Sequence, residues 1–265
     1  MQEKFKMNNH NYHMVNKSPW PLLSSFGVMT TMMGMIMMFS INSYWLLMVG
    51  IATLTMTMSQ WWRDMIREST FQGFHTTKVV KNAKIGMIMF ILSEIMFFLS
   101  FFWAYLHSSL SPNIDIGMSW PPMNIKSFNP MNVPMLNTII LLSSGVSLTW
   151  AHSAIMSKNL KQANKSIKMT MILGIYFSLI QWYEYYEASF TISDSIYGST
   201  FFMTTGFHGM HVIIGTMFIL VMNFRLMKFQ FSSNHHVGFE CATWYWHFVD
   251  VVWLFLYILM YWWGN

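Results

Sequence analysis

Glu94 lies near the middle of KIGMIMFILSEIMFFLSFFWAYLH, residues 84–107, an otherwise apolar run. Asp250 is a second acid in similar company, in WHFVDVVWLF. Acids in such settings can relay protons, ligate a metal, or tie helices together through hydrogen bonds. Histidine supplies the other chemistry, with ten in the chain. His208 and His211 stand three apart in GFHGMHVIIGT and so share one helix face, and His247 stands three before Asp250. The single cysteine, Cys241, excludes an internal disulfide, a CxxCH haem attachment and a thiolate cluster.

The elements that must position these residues are membrane helices. Hydrophobic residues make up 54% of the chain, aromatics 18% and charged residues only 9%, against about 25% charged in soluble domains. Seven apolar runs fall at 21–39, 44–62, 85–107, 135–156, 169–187, 201–224 and 241–263. Each approaches or exceeds the ~20 residues needed to cross a bilayer core. Strand-like alternation, which a β-barrel requires, is missing. The expected fold is therefore all-α, a single membrane domain over residues 1–265, with residues 1–20 as an N-terminal segment and seven spans over 21–263. MQEKFKMNNH is too polar for a cleavable signal, so the first span would direct insertion.

Basic residues orient the bundle. Lys4, Lys6, Lys17, Arg63, Arg67, Lys78, Lys81, Lys84, Lys158, Lys161, Lys165, Lys168, Arg225 and Lys228 fall on the N-terminal side of a seven-span chain; only Lys126 falls on the other. This bias assigns the N-terminus to a cytoplasm-like compartment and reads the net charge of +5 as topology, not as a nucleic-acid footprint. Counting from that face at 1.5 Å per residue, Glu94 and Asp250 both lie about 14 Å deep. A charged acid there costs roughly 2.5–3.5 kcal/mol, which favours the neutral form or a polar partner. Whether the two acids face each other stays open.

The same arithmetic places His211 about 20 Å from the basic end of its span, whereas His235 and His236 lie beyond that end, so the two pairs are not expected to share a metal. His107 could approach His208, which leaves ligation open. The favoured reading makes His208, His211 and His247 interhelical hydrogen-bonding groups, with Gly206, Gly209 and Gly215 permitting close packing. In QWWRDMIREST, Trp61 and Trp62 read as an interfacial aromatic belt. Arg63 and Arg67 share a face that could fork onto a lipid phosphate. Asp64 and Glu68 share the same spacing, so local ion pairs at a solvated helix end are an equal alternative.

Several long strings resemble subunit III of mitochondrial cytochrome c oxidase: HHVGFECATWYWHFVDVVWLFLYILMYWWGN with FHGMHVIIGT upstream, HNYHMVNKSPWP, QWWRDMIRESTFQGF, LSEIMFFLSFFWAYLHSSL, VPMLNT and EYYEASFTISDSIYGSTFF. The resemblance runs over residues 10–265. It implies a mitochondrially encoded, multi-pass protein of the inner membrane, with helices 1 and 2 splayed from helices 3–7 by a lipid-holding cleft. The N-terminus would face the matrix and the C-terminus the intermembrane space. It also implies that haem a, haem a3 and copper reside in subunits I and II, that small accessory subunits join the complex, and that this chain binds phospholipid but no metal. Lipid contacts implied are Trp62, Arg63, Arg67, Glu68, His75 and Arg225. The sequence departs from the family pattern at Phe74 and Ser153, where many members carry a further histidine.

Two function classes are in play. One is a non-catalytic subunit supporting cytochrome c oxidation and coupled proton pumping by stabilising the core, binding lipid and aiding oxygen access and proton uptake. The other is an autonomous proton-conducting transporter using Glu94 and Asp250. The unbroken Met, Ile and Phe around Glu94, and the lack of an internal repeat with broken helices, favour the first.

Overall fold

The computed structural model describes residues 11–265, so Lys4 and Lys6 of the expected basic face lie outside the described residues. Among the described residues all regular structure is helical: α1 (Trp20–Ile41), α2 (Trp45–Thr70), α3 (Thr77–Leu110), α4 (Val133–Met156), α5 (Leu160–Tyr186), α6 (Ile196–Met227) and α7 (Val237–Leu256). A π-helical turn, Tyr257–Trp262, continues α7, and a 3-10 turn, Ile114–Ile116, sits in the α3–α4 connection. Each apolar run falls on one helix. Several helices run further than their apolar stretch, α2 through RDMIREST and α5 from Leu160, because Lys, Arg, Gln and Glu are good helix formers and carry the helix past the apolar core.

Among the described residues five helices are long and apolar enough to cross a membrane: α1, α3, α4, α6, and α7 with its π-turn. The helices α2 and α5 fall short because Thr, Trp and charged residues dilute the first and Tyr, Gln and Lys the second. The chain is a helical membrane bundle.

Its contacts divide it into two compact units, one ending at Ala83 and one of Lys84–Asn265. In the first, α1 and α2 pack as an antiparallel hairpin joined at Asn42, whose left-handed φ of 52° turns the chain. Small residues set the approach. A Cβ at Gly50 would stand 2.6 Å from the Thr31 backbone nitrogen, and one at Gly34 would meet the Leu47 backbone. Helices in lipid gain little from the hydrophobic effect, so such close backbone contact is what holds the pair.

The second unit is built around Trp246 of α7, which is fully buried. Its ring lies between two glycines: a Cβ would come within 2.8 Å of it from Gly174 on α5 and within 2.9 Å from Gly215 on α6. Its indole N–H donates to Ser144 Oγ on α4 at 2.9 Å. Two turns further along the bundle, Trp253 Nε1 donates to Thr138 Oγ1 at 3.0 Å. Ser147 with Thr170 at 2.7 Å and Tyr185 with Thr205 at 2.6 Å add cross-helix hydroxyl pairs. Of the three glycines expected to allow packing in α6, only Gly215 has a close neighbour: Gly209 faces open space and Gly206 stands 3.9 Å from the Tyr185 hydroxyl.

The α3–α4 connection folds back as an aromatic cap. Trp120 packs edge-on against Tyr105 at 5.2 Å and donates to its hydroxyl, while Phe128 packs against Phe190, Phe201 and Tyr261. Beside it, in the loop before α6, the backbone and hydroxyl of Thr191 donate to Asp194 and hold its carboxyl below the usual carboxylate range.

Candidate functional site

Glu94 reaches from α3 to α6, where its Oε2 lies 2.9 Å from His211 Nε2. The other ring nitrogen of His211 lies 2.6 Å from the Phe207 carbonyl one turn back on its own helix. A carbonyl only accepts, so Nδ1 carries a hydrogen, and a single proton occupies the space between Glu94 and Nε2. Neutral acid with neutral imidazole, or carboxylate with imidazolium, both leave the pair without net charge. That answers the cost of an acid in the apolar run. The ring of His211 is enclosed by Phe98 at 5.0 Å, and by Tyr245 and Phe248, each at 6.3 Å. Phe98 shares a face of α3 with Glu94, and Tyr245 and Phe248 share a face of α7, so three helices build the enclosure.

Asp250 has different surroundings. Its Oδ2 lies 3.4 Å from His247 Nδ1 on the preceding turn, and the carboxyl fits against α4 where Gly145 leaves room: a Cβ there would stand 2.6 Å from Oδ2. Oδ1 is buried without a hydrogen-bond partner. The two are neighbours as their spacing implies, so the hydrogen bond of His247 runs within α7 and is not the interhelical one expected.

His208 departs from the hydrogen-bonded role expected for it. The ring is fully buried between Phe177 at 5.7 Å and Trp253 at 5.2 Å, and neither nitrogen has a hydrogen-bond partner. Its proximity to His211 along α6 does not put both on one partner: His211 meets Glu94 of α3, whereas His208 lies against Phe177 of α5 and Trp253 of α7. His107 instead lies tilted beside Trp103 on its own helix, with ring centres 6.2 Å apart.

At the end of α2, the ion pairs allowed for in the sequence are formed. Asp64 Oδ1 lies 3.2 Å from Arg63 and 3.7 Å from Arg67, and the Trp20 indole donates to Oδ2 at 2.8 Å. The Trp20 N–H, with both guanidiniums, holds the Asp64 carboxyl below its ordinary range. Glu68 lies 3.2 Å from His13 Nε2, and the His13 ring stacks on Phe74 at 5.1 Å and tilts toward His75 at 5.9 Å. Phe74 thus supplies a stacking face for His13. Trp62, Arg63 and Arg67 stay exposed beside these pairs. In the second unit Arg225 lies over the Phe231 ring at 4.6 Å and donates to Gln230 at 3.3 Å.

One grouping was not anticipated from the sequence. His152, His236 and Glu240 bring three ligand-type atoms within 4.8 Å of one another. The signal was available, since all three lie at the basic ends of α4 and α7, but the spacing considered was that of His235 and His236 against His208 and His211.

A family model for cytochrome c oxidase subunit III matches residues 10–265. The chain belongs to the cytochrome c oxidase subunit III family. Proteins named cytochrome c oxidase subunit 3 from the seal Halichoerus grypus, the locust Locusta migratoria and the mosquito Anopheles quadrimaculatus are 59%, 58% and 58% identical to it. Each alignment covers 97% of this chain and 98% of the relative. As a subunit III the chain is part of cytochrome c oxidase, respiratory complex IV, in complex with other oxidase subunits, and it is a multi-pass protein of the mitochondrial inner membrane.

Proposed function

We propose that this subunit is a non-catalytic core component, a single membrane domain that stabilises the oxidase against subunits I and II, which hold haem a, haem a3 and copper. It binds phospholipid through Trp62, Arg63, Arg67, Glu68 and His75 at the end of α2 and through Arg225 of α6. In this role it supports oxygen access and proton uptake without carrying either electrons or pumped protons. The observation that carries the reading is the closure of Glu94 onto His211 inside Phe98, Tyr245 and Phe248. An autonomous proton conductor needs titratable groups in water-bridged succession across the bilayer, whereas Asp250 is held separately, by His247. Stripping the subunit from purified oxidase is expected to leave haem and copper content and initial turnover intact while lowering bound phospholipid. Loss of a haem or copper with the subunit, or unchanged lipid, would refute the assignment.

The orientation proposed, N-terminus in the matrix and C-terminus in the intermembrane space, rests on 14 of 15 basic residues falling on one side of seven crossings. In mitochondria with a ruptured outer membrane, a tag after Asn265 is expected to be cleaved by added protease and a tag before Met1 to survive. The opposite pattern reverses the topology.

A further inference from the structure

His152 Nε2 lies 3.1 Å from His236 Nε2, and Glu240 Oε1 lies 3.7 Å from the same His236 nitrogen. His236 Nδ1 is 3.0 Å from the Ser232 carbonyl, so its hydrogen is fixed there and Nε2 presents a lone pair. A carbonyl bonded to the far nitrogen is the usual support for a ligating histidine. Glu240 Oε2 pairs with Lys84, which leaves Oε1 turned toward the imidazoles. Buried Phe239 packs beside the His152 ring at 6.0 Å and closes one side.

A simple hydrogen bond from His152 Nε2–H to His236 accounts for the 3.1 Å separation but not for the carboxylate. In that arrangement Glu240 Oε1 faces a nitrogen lone pair with no hydrogen between them. Either a proton added to His236 or a metal ion shared by the three groups resolves the conflict, and only the ion takes all three as ligands. Two imidazoles on a tetrahedral zinc ion, with bonds of about 2.0–2.1 Å, put their nitrogens about 3.3 Å apart. Two histidines and one carboxylate are a common zinc donor set, and three protein ligands leave a fourth position for water.

We propose that His152, His236 and Glu240 form a binding site for a divalent transition-metal ion of the zinc class at the basic end of α4 and α7. The site adds a bound ion to a chain expected from its sequence to carry none. Lys84 acts as a positioning residue that orients the carboxylate. The ion would staple the end of α4 to the start of α7, elements far apart in sequence.

The full chain in lipid nanodiscs, equilibrated with zinc chloride and dialysed, tests this by metal analysis and X-ray absorption at the zinc edge. Wild type and His235→Gln are expected to retain one zinc per chain, and His236→Gln to bind at least roughly tenfold more weakly. The absorption spectrum of wild type should show imidazole and oxygen neighbours at about 2.0–2.1 Å, a readout that does not depend on any variant folding. Wild type without zinc, equal zinc in His236→Gln, loss of zinc in His235→Gln, or a first shell lacking imidazole would each overturn the site.

Discussion

Trp246→Ala is expected to destabilise the second unit by about 3–5 kcal/mol, the largest effect of any single truncation proposed for this chain. The indole is fully buried and lies against Gly174 and Gly215, positions without side chains that could move in to fill the space. Alanine would therefore leave a cavity bordered by three helices. It would also remove the N–H that Ser144 Oγ accepts, although that hydroxyl keeps its own donation to Leu141. Trp246→Phe retains most of the volume and loses only the polar contact, for an expected cost of about 1 kcal/mol. Denaturation of the full chain in mixed micelles would measure both. A loss below about 1 kcal/mol for alanine would mean that packing at this ring is not what holds α4–α7 together.

Glu94→Ala is expected to cost about 1–3 kcal/mol and to lower the steady-state level of assembled oxidase, because His211 Nε2 would be left unpaired inside an aromatic enclosure. Glu94→Gln should be close to neutral. With Nδ1–H bound to the Phe207 carbonyl, the neutral imidazole presents Nε2 as an acceptor, and the glutamine amide can donate to it across the same 2.9 Å gap. His211→Leu should resemble Glu94→Ala, since it strands the acid instead of the imidazole. If Gln were as damaging as Ala, the proton, and not the hydrogen bond, would be what the site preserves.

The helices were legible in the sequence because lipid imposes a simple rule, an apolar stretch long enough to cross. The same is true of Asp250 and His247, whose contact follows from a spacing of three on one helix. The partner of Glu94 was not legible. His211 is 117 positions away, and its pairing depends on which faces of α3 and α6 turn toward each other, which no single-helix pattern encodes. For the same reason His208 read as a second polar contact yet lies between Phe177 and Trp253. The glycines of α6 looked equivalent in sequence; only Gly215 faces a neighbouring ring at close range. The aromatic cap of Trp120 and Phe128 escaped notice because a connecting segment carries no period to read.

The proton-to-electron stoichiometry of fully assembled oxidase carrying Glu94→Gln, reconstituted in vesicles and driven by reduced cytochrome c, tests the central claim most directly. The structural role assigned to the Glu94–His211 pair requires turnover and pumping close to wild type. A complex that assembles, retains its haems and reduces oxygen but no longer pumps would show instead that this acid belongs to the proton path.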